Sequence, residues 1–451
     1  MNRKEIKRQP LPSITGGVGG GSYSSAIQYL YNSTPMFSNI GAGAYKEGLA
    51  TTKALDAHFS HPHRHFRTIH VAGTNGKGSV SSTLAAILQA AGLKVGLYTS
   101  PHLVDFRERI RVDGEMISQD RVVRFVEEER AFFEPLSPSF FELTTALAFK
   151  YFEEQDVDVA VVEVGLGGRL DCTNIIHPDL CVITNISFDH QQFLGDTLPL
   201  IAGEKAGIIK RRVPVVIGET NGHADVRNVF ATTAQTKHAT IRFADEEHFG
   251  PVACQLKGDY QQANMRTVQC AVDSLRRQRF YRPLLTDEAV AYGMQHVMEL
   301  TGFQGRWQQL HEHPTMVCDA GHNAAGITYV AGQLAHERER LEAQGRGILR
   351  IVFGMVSDKD YQFAINALEP LHTRAAYYFT QPSCKRALSA DVLASTYRAK
   401  GLPVSTYPSV REAVAAALAD ATPDDFIFVG GSCYVVADLL THIDSLISRK
   451  S

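Results

Sequence analysis

The sequence predicts an α/β fold with two domains of unequal size. In both halves of the chain, short apolar runs rich in β-branched residues alternate with segments of helical periodicity, which is typical of parallel sheets covered by helices. The length of 451 residues allows two or three domains, and a hydrophobic share of 44% is ordinary for a protein with large cores.

The first series of elements predicts the larger domain. A helical stretch lies near residues 26–31, and a strand at 68–72 is followed by a helix at 79–92. Near-continuous apolar runs predict buried strands at 94–98, 157–164, 180–186 and 213–217. Further helices are predicted at 120–132 and 143–154.

The second series predicts a smaller, open α/β sheet, joined to the first by a linker near residues 299–304. Its expected strands are 315–319, 349–354, 375–380 and 425–430, with a helix at 322–334 and an apolar helix after the last strand. We therefore expect a flexible tail at 1–24, a central domain at 25–300 and a C-terminal domain at 301–451.

Composition excludes several classes of protein. The formal net charge of −3 gives no basic field for nucleic acid or an acidic membrane. No apolar run approaches the ~18 residues of a membrane-spanning helix, and the basic N-terminus lacks the apolar core of a secretory signal. Seven scattered cysteines without a C-x-x-C pair argue for reduced thiols in the cytoplasm.

The segment 70–79, His-Val-Ala-Gly-Thr-Asn-Gly-Lys-Gly-Ser, carries the strongest functional signal. Gly73 and Gly76 let the backbone turn its N–H groups toward an anion, Lys77 adds a cation, and Ser79 can ligate magnesium. Val71 stands where the common phosphate-loop pattern has its first glycine. Because a strand precedes the loop and a helix follows, we expect a nucleotide site. The fold class then becomes an N-terminal parallel-sheet P-loop ATPase domain plus a smaller C-terminal Rossmann-like α/β domain.

Polar groups also follow other strands, at the edge where ligands gather in open parallel sheets. Ser100 comes directly after the strand at 94–98, although a serine before a proline is by itself more often a cap. Arg107, Arg109 and Arg111 alternate as on one face of a strand, either a solvated edge or a contact for substrate carboxylates.

Glu163 ends a very apolar strand and precedes a glycine-rich turn. A carboxylate buried alone is costly, so Glu163 is expected to hold magnesium or to pair with Arg169. His190 follows another strand and can share a cation with phosphate oxygens. Lys205 lies in an apolar context that lowers its pKa, so that its amine could add CO2, or else pair with Glu204 or a phosphate.

The second domain contributes a further group of polar residues. Arg306 lies just past the linker and could reach phosphate from the facing domain. Asp319 ends a strand and could accept from a ribose hydroxyl, or it could cap the next helix.

Together these segments closely resemble the folylpolyglutamate synthase and dihydrofolate synthase family, which belongs with the Mur ligases. The matching segments run from about residue 60 to the C-terminus, and their order and spacing are specific. They are 71–79, 99–103, 140–146, 163–174, 183–190, 201–210, 256–264, 305–307, 319–323 and 354–360.

The resemblance implies an ATP-dependent amide ligase that uses ATP and two Mg2+ ions. ATP would convert a substrate carboxylate to an acyl phosphate, and the amine of L-glutamate would displace the phosphate. The acceptor would be a tetrahydrofolate, which is polyglutamylated, or dihydropteroate, which becomes dihydrofolate. We expect a cytoplasmic monomer whose partners are these small molecules, with no nucleic acid and no membrane.

The resemblance also assigns residues. The ATP site would consist of Asn75, Gly76, Lys77, Gly78, Ser79, Asn264, Arg306 and Asp319. One magnesium ion would be held by Ser79 and Glu163, and a second by Ser100, Glu163 and His190. The catalytic residues would be Lys77, Lys205 and His322, with Lys205 as N6-carboxylysine and Asn323 on the same rim.

The acceptor and amino-acid sides are assigned in the same way. The folate side would be formed by Ser139, Phe140, Phe141, Glu142, Leu170, Asp171 and Cys172. Lys359 and Ser432 would lie on the glutamate side. Two departures stand out: Ala320-Gly321 where the family more often has glycine then alanine, and Cys172 where some bifunctional bacterial members have alanine.

Three other functions remain open at this point. A Mur-type ligase acting on a UDP-linked peptidoglycan precursor shares the loop and the chemistry, although the segments at 163–174 and 319–323 favour the folate branch. A nucleotide-binding switch would not need the second-domain Arg306 and Asp319. A structural or interaction protein has little support, because the polar groups cluster at strand ends.

Overall fold

The computed structural model describes residues 22–33 and 48–447. The predicted flexible tail at 1–24 lies outside the described residues up to residue 21, and Tyr23 already begins a helix. Within the described ranges, no helix is both long enough and apolar enough to cross a bilayer.

An eight-stranded sheet organises the N-terminal unit, which we define as residues 23–301. Its strands are β1 (Arg67–Ala72), β2 (Val95–Tyr98), β3 (Ile110–Val112), β4 (Glu115–Met116), β5 (Val159–Glu163), β6 (Leu180–Asn185), β7 (Val215–Glu219) and β8 (Ile241–Phe243). They lie in the order β4-β3-β2-β5-β1-β6-β7-β8, and all pair in parallel except β3 and β4.

Helices cover both faces of this sheet. They are α1 (Tyr23–Ser33), α2 (Ala50–His58), α3 (Lys77–Ala90), α4 (Gln119–Phe133), α5 (Phe140–Glu154), α6 (Gln191–Leu194), α7 (Leu198–Ala206), α8 (Ala224–Lys237), α9 (Gln261–Arg276), α10 (Asp287–Gln295) and α11 (Val297–Thr301). The five residues of β5 are all buried, because helices pack on each side of the strand.

A six-stranded sheet organises the C-terminal unit, residues 308–447. Its strands are β9 (Gln308–His311), β10 (Thr315–Asp319), β11 (Leu349–Phe353), β12 (Ala375–Phe379), β13 (Val404–Thr406) and β14 (Phe426–Gly430), in the order β13-β12-β11-β14-β10-β9. The helices are α12 (Ala324–Ala343), α13 (Tyr361–Leu368), α14 (Ala390–Ala399), α15 (Val410–Asp420) and α16 (Cys433–Ile447). Only β9 runs antiparallel to its neighbour.

The predicted fold class is confirmed: two α/β units, each with a mainly parallel sheet, and the smaller one C-terminal. The boundaries proposed at residues 24 and 300 stay predictions. In the N-terminal sheet, β1 lies between β5 and β6, with Val71 opposite Glu163 and Ala72 opposite Ile183. This register brings the residues that follow the three strands to one edge.

Two local expectations were wrong. Arg107, Arg109 and Arg111 do not share a strand face, because Phe106–Arg109 forms a 3-10 turn and only Arg111 lies in β3. Asp105 and Glu108 close that turn with a reciprocal capping box. The helix expected from residue 322 begins instead at Ala324, after Asn323, whose side chain caps it.

Candidate functional site

A cavity of about 430 Å3 lies between the two units, at the carboxyl ends of their parallel strands. The predicted nucleotide and magnesium ligands on its wall are Asn75, Gly76, Lys77, Gly78, Ser79, Ser100, Glu163, His190, Asn264, Arg306 and Asp319. The predicted catalytic and folate-side residues on the same wall are Ser139, Phe140, Phe141, Glu142, Leu170, Asp171, Cys172, Lys205 and His322. The structure therefore brings every predicted site residue into one cleft, while their roles stay predictions.

The phosphate loop, residues 73–79, is fixed by hydrogen bonds to neighbouring residues and within itself. The N–H of Asn75 donates to Asn185 Oδ1 at 2.9 Å, and the hydroxyl of Thr184 donates to the carbonyl of Asn75 at 2.5 Å. Lys77 Nζ donates to the carbonyl oxygens of Gly73 and Thr74, at 3.2 and 3.1 Å. The ammonium group is thus folded back over its own loop, at the start of α3, where an anion is favoured.

Two glycines make this loop possible. Gly76 has φ +83°, and a Cβ there would lie 2.2 Å from Asn264 Oδ1. Gly73 has φ +146°, and its Cβ would lie 1.8 Å from Thr184 Oγ1. Side chains are excluded at both positions, so the backbone of the loop faces the cavity.

Glu163 is a buried carboxylate in the cavity wall, 3% exposed. Burial raises its pKa to about 7, against the attraction of Lys77 and a 3.3 Å hydrogen bond from the Ser100 N–H. The alternative partner of Glu163, Arg169, instead pairs with Glu204 at 2.9 Å. A divalent cation would supply the charge that this carboxylate lacks.

The donor set around Glu163 fits magnesium that is also bound by phosphate. Ser79 and Ser100 offer hydroxyl oxygens, and burial lowers the pKa of His190 to about 4, which keeps its imidazole neutral. Among the described residues, no three histidine, cysteine, aspartate or glutamate side chains converge as a ready metal cage. Phosphate oxygens would therefore have to complete the coordination.

Lys205 lies in α7 and is buried, 4% exposed. Burial, reinforced by the charge of Lys77, lowers its pKa to about 7. Its Nζ donates to the Gly73 carbonyl at 2.9 Å, beneath the phosphate loop. The alternative pairing of Lys205 with Glu204 is not observed, and Glu204 pairs with Arg169.

A hydrogen bond joins the two units at the predicted nucleotide end of the cleft. Asp319 accepts from Tyr260 Oη at 2.6 Å, from the Trp307 N–H at 2.8 Å and from the Gly321 N–H at 2.7 Å. Asp319 is therefore not the cap of the next helix, which is Asn323, and it accepts instead from Tyr260 of the N-terminal unit.

Behind the phosphate loop, Gln261 joins two predicted ligands. Its Nε2 donates to Ser79 Oγ at 3.1 Å, and its Oε1 accepts from Asn264 Nδ2 at 2.8 Å. Tyr260 and Gln261 lie in the matching segment 256–264, but of that segment only Asn264 is assigned a role from the sequence, and the fold identifies the other two.

The predicted folate end is built from a helix start and a turn. Ser139 and Glu142 form a capping box at the first turn of α5, and Glu142 also accepts from Thr52 at 3.3 Å. Asp171 receives four hydrogen bonds, from the N–H groups of Gly165, Leu166 and Thr173 and from the Thr173 hydroxyl. Asp171 thereby fixes the glycine turn that follows β5.

Residues from the C-terminal unit line a further part of the cavity wall. Burial lowers the pKa of His322 to about 4, and its Nδ1 lies 3.0 Å from the Ala320 carbonyl. Lys359 and Ser432 line the same wall. Arg386, for which no motif predicts a role, also lines it and contacts Asp358 and Tyr434.

Comparison with family models matches both units. Residues 71–272 match the Mur ligase middle domain, and residues 305–433 match the Mur ligase glutamate ligase domain.

Curated relatives match over most of the chain. A probable bifunctional folylpolyglutamate synthase/dihydropteroate synthase of Haloferax volcanii is 34% identical over 93% of this chain and 50% of its own length. The dihydrofolate synthase/folylpolyglutamate synthase of Bacillus subtilis is 32% identical over 87% of this chain and 94% of its own length. The chain thus spans about half the length of the first relative and nearly all of the second.

Solved structures agree over almost the whole chain. E. coli FolC in complex with DHPP and ADP has a TM-score of 0.81 at 29% identity, covering 96% of this chain and 99% of that one. A bifunctional folylpolyglutamate synthase/dihydrofolate synthase with Mn, AMPPNP and L-glutamate bound has a TM-score of 0.78 at 29% identity, covering 94% and 98%.

Proposed function

The chain belongs to the folylpolyglutamate synthase and dihydrofolate synthase family of the Mur ligases, and on that premise we propose that it joins L-glutamate to a folate at the expense of ATP. The observation that carries the proposal is the single cleft in which a phosphate loop, a buried carboxylate and a buried lysine meet polar groups of the second unit. Relatives whose structures contain ADP, DHPP, Mn, AMPPNP and L-glutamate support the substrate classes.

The loop and its flanking residues bind ATP in this proposal. The N–H groups at the start of α3 and the Lys77 ammonium hold the phosphates, and Arg306 approaches from the segment that connects the two units. Asn264 and Asp319 bind the nucleoside side. When phosphate arrives, Lys77 exchanges its two carbonyl partners for phosphate oxygens.

Two magnesium sites complete the proposal. Ser79 and Glu163 would hold one ion, and Ser100, Glu163 and His190 a second. When bound, magnesium lowers the repulsion between ATP and the folate carboxylate. Glu163 would then be ionised, because a cation offsets the effect of burial on its pKa.

Lys205 is proposed to carry a carboxyl group in the active enzyme. A pKa of about 7 leaves much of its amine neutral at physiological pH, and a neutral amine can add CO2. The resulting carbamate is anionic, so it would support a nearby cation that the ammonium form repels.

The reaction proposed is acyl transfer in two steps. The folate carboxylate attacks the terminal phosphate of ATP, which forms an acyl phosphate and releases ADP. The amine of L-glutamate then attacks the acyl carbon and releases phosphate. Ser139, Phe140, Phe141, Glu142, Leu170, Asp171 and Cys172 would hold the folate. His322, Lys359 and Ser432 would lie beside the incoming amine, where a neutral imidazole can accept its proton.

Release of ADP is the direct test. Protein, ATP, magnesium and L-glutamate are combined with either dihydropteroate or tetrahydrofolate. Turnover with both acceptors indicates a bifunctional enzyme, and turnover with tetrahydrofolate alone indicates a polyglutamate synthase. Absence of turnover with both acceptors contradicts the proposal and leaves UDP-linked peptidoglycan precursors as the substrates to assay.

We further propose a cytoplasmic location, which the seven free cysteines support, since thiols stay reduced there. The expected monomer stays a prediction, and light scattering of the purified protein would check it.

A further inference from the structure

Asn323 makes more contacts than its place before a helix requires. Its Oδ1 accepts from the Gly326 N–H at 2.8 Å, as an N-cap does. Its Nδ2 donates to Asn75 Oδ1 at 2.9 Å and to Asp189 Oδ2 at 3.1 Å. The residue is 8% exposed, so the cost of leaving these groups without partners would be high.

Both of these donated bonds cross the cleft. Asn323 lies between β10 and α12 of the C-terminal unit, whereas Asn75 lies in the phosphate loop and Asp189 follows β6. Asn75 and Asn323 are 248 positions apart in the sequence. Asn75 Nδ2 also lies 3.4 Å from Asn323 Oδ1, so the two carboxamides face each other as a pair.

Asp189 receives a second contact from the C-terminal unit. Lys359 Nζ lies 3.1 Å from Asp189 Oδ1, while Asn323 occupies Asp189 Oδ2. One side chain of the N-terminal unit is thus held by two groups of the other unit.

Asn75 is fixed on its own side of the cleft. Its N–H donates to Asn185 Oδ1 at 2.9 Å, and its Nδ2 lies 3.3 Å from Ser187 Oγ. Its side-chain oxygen is thereby aimed at Asn323 only while the phosphate loop keeps the conformation described here. A change in the loop would break the bond that crosses the cleft.

We propose that Asn323 is a positioning residue that makes closure of the cleft depend on the conformation of the phosphate loop. It touches neither nucleotide nor folate in this role, and acts through Asn75 and Asp189. The inference rests on the proposed function, because an acyl phosphate is hydrolysed wherever the cleft admits water. With the pair intact, glutamate rather than water receives the acyl group.

Asn323→Ser separates this role from helix capping. Serine keeps a side-chain oxygen that can cap α12, but it has no amide to reach Asn75 or Asp189. Asn323→Thr is the second capping variant, and Asn323→Asp keeps the cap while placing a carboxylate against Asp189.

Two readouts are taken on the full-length variants and on the unmodified protein. The first is the ratio of ADP released to glutamylated product, in the presence of tetrahydrofolate and L-glutamate. We expect a ratio of one for the unmodified protein and at least about twofold more ADP than product for the variants. The second is the radius of gyration in solution with ADP and magnesium, which is expected to be larger for the variants.

An unchanged radius of gyration overturns the proposal, whatever the rates. A larger radius with a ratio of one also overturns it, because closure would then not protect the intermediate. If the unmodified protein fails to ligate glutamate, the proposed function fails, and the scattering comparison still decides whether Asn323 holds the two units together.

Discussion

At the scale of single residues, burial of the Glu163 carboxyl predicts a specific pH dependence of stability. Its pKa in the folded protein, about 7, lies above the ordinary value of 4.5. Between these two values the unfolded chain binds fewer protons than the folded one, so the free energy of unfolding falls as pH rises and stays low above pH 7.

Glu163→Gln removes this ionisation without changing the shape of the side chain. Without nucleotide or metal, we expect its advantage in stability over the unmodified protein to grow by about 2 kcal/mol between pH 5 and pH 8. Urea unfolding at the two pH values measures the difference, and an advantage that does not change with pH would contradict the assignment. The same variant should have lost ligase activity, because the amide is a poor magnesium ligand.

Lys205 can be tested for its proposed modification directly. With 13C-labelled bicarbonate, we expect a carbamate carbon signal by NMR in the unmodified protein, because a pKa of about 7 leaves the amine partly neutral. Lys205→Arg is the control, since guanidinium stays charged and should give no signal. A free amine at Lys205 in crystals grown with bicarbonate would rule the modification out.

The sequence predicts residues that carry their own signal, and misses those that act only through a neighbour. Lys77 and Ser79 are recognisable because a lysine and a serine at this spacing from two glycines are typical of a phosphate-binding loop. Tyr260 and Gln261 lie in the matching segment 256–264, but their roles become visible only when folding brings them against Asp319 and Ser79.

At the scale of elements, the loop between β1 and α3 depends on a backbone without a side chain. Gly73→Ala would force a methyl group against Thr184 at a positive φ, so we expect a loss of about 2–4 kcal/mol in unfolding free energy. Gly203→Ala is the matched control, because Gly203 lies within α7 with open space around it. Alanine there should stabilise by about 0.5–1 kcal/mol. Equal effects of the two changes in chemical denaturation would contradict this explanation.

Buried strands were predictable and edge strands were not. The predicted strand at 315–319 coincides with β10, in which four of the five residues are buried. By contrast, β4 and β13 have two and three residues and lie at sheet edges. Such short segments bury too little surface to produce a periodic pattern in the sequence. Whether they form strands depends on pairing with the neighbouring strand.

At the scale of the whole molecule, the predicted nucleotide end of the cleft depends on a contact between the units. Tyr260→Phe removes the hydroxyl that donates to Asp319 across the cleft and keeps the ring. A hydrogen bond to a carboxylate contributes about 1.5–3 kcal/mol, so we expect ADP to bind about ten- to a hundredfold more weakly. Calorimetric titration with ADP measures the dissociation constant of the variant and of the unmodified protein. Tyr292→Phe, at an exposed ring outside the cleft, should leave the affinity unchanged.

The contact between the two units could be predicted only from the resemblance to a known family. Nothing in the pattern around Asn323 or Lys359 indicates that both side chains contact Asp189, since pairings so distant in the sequence leave no trace in local periodicity. The resemblance to a known family indicated which segments share a cleft, and the hydrogen bonds across it required the structure.

The path of the chain has a consequence for protein engineering. Between residues 48 and 447 it passes from one sheet to the other once, after α11, so neither sheet borrows a strand from the other half. A gene divided within residues 302–304 would therefore encode two fragments that each keep a complete sheet, with Arg306 in the second fragment. The peptide link keeps each unit at a high effective concentration relative to the other, in the millimolar range for short flexible linkers. Dividing the gene would change the concentration at which the fragments assemble, and would leave the composition of each wall of the cleft unchanged.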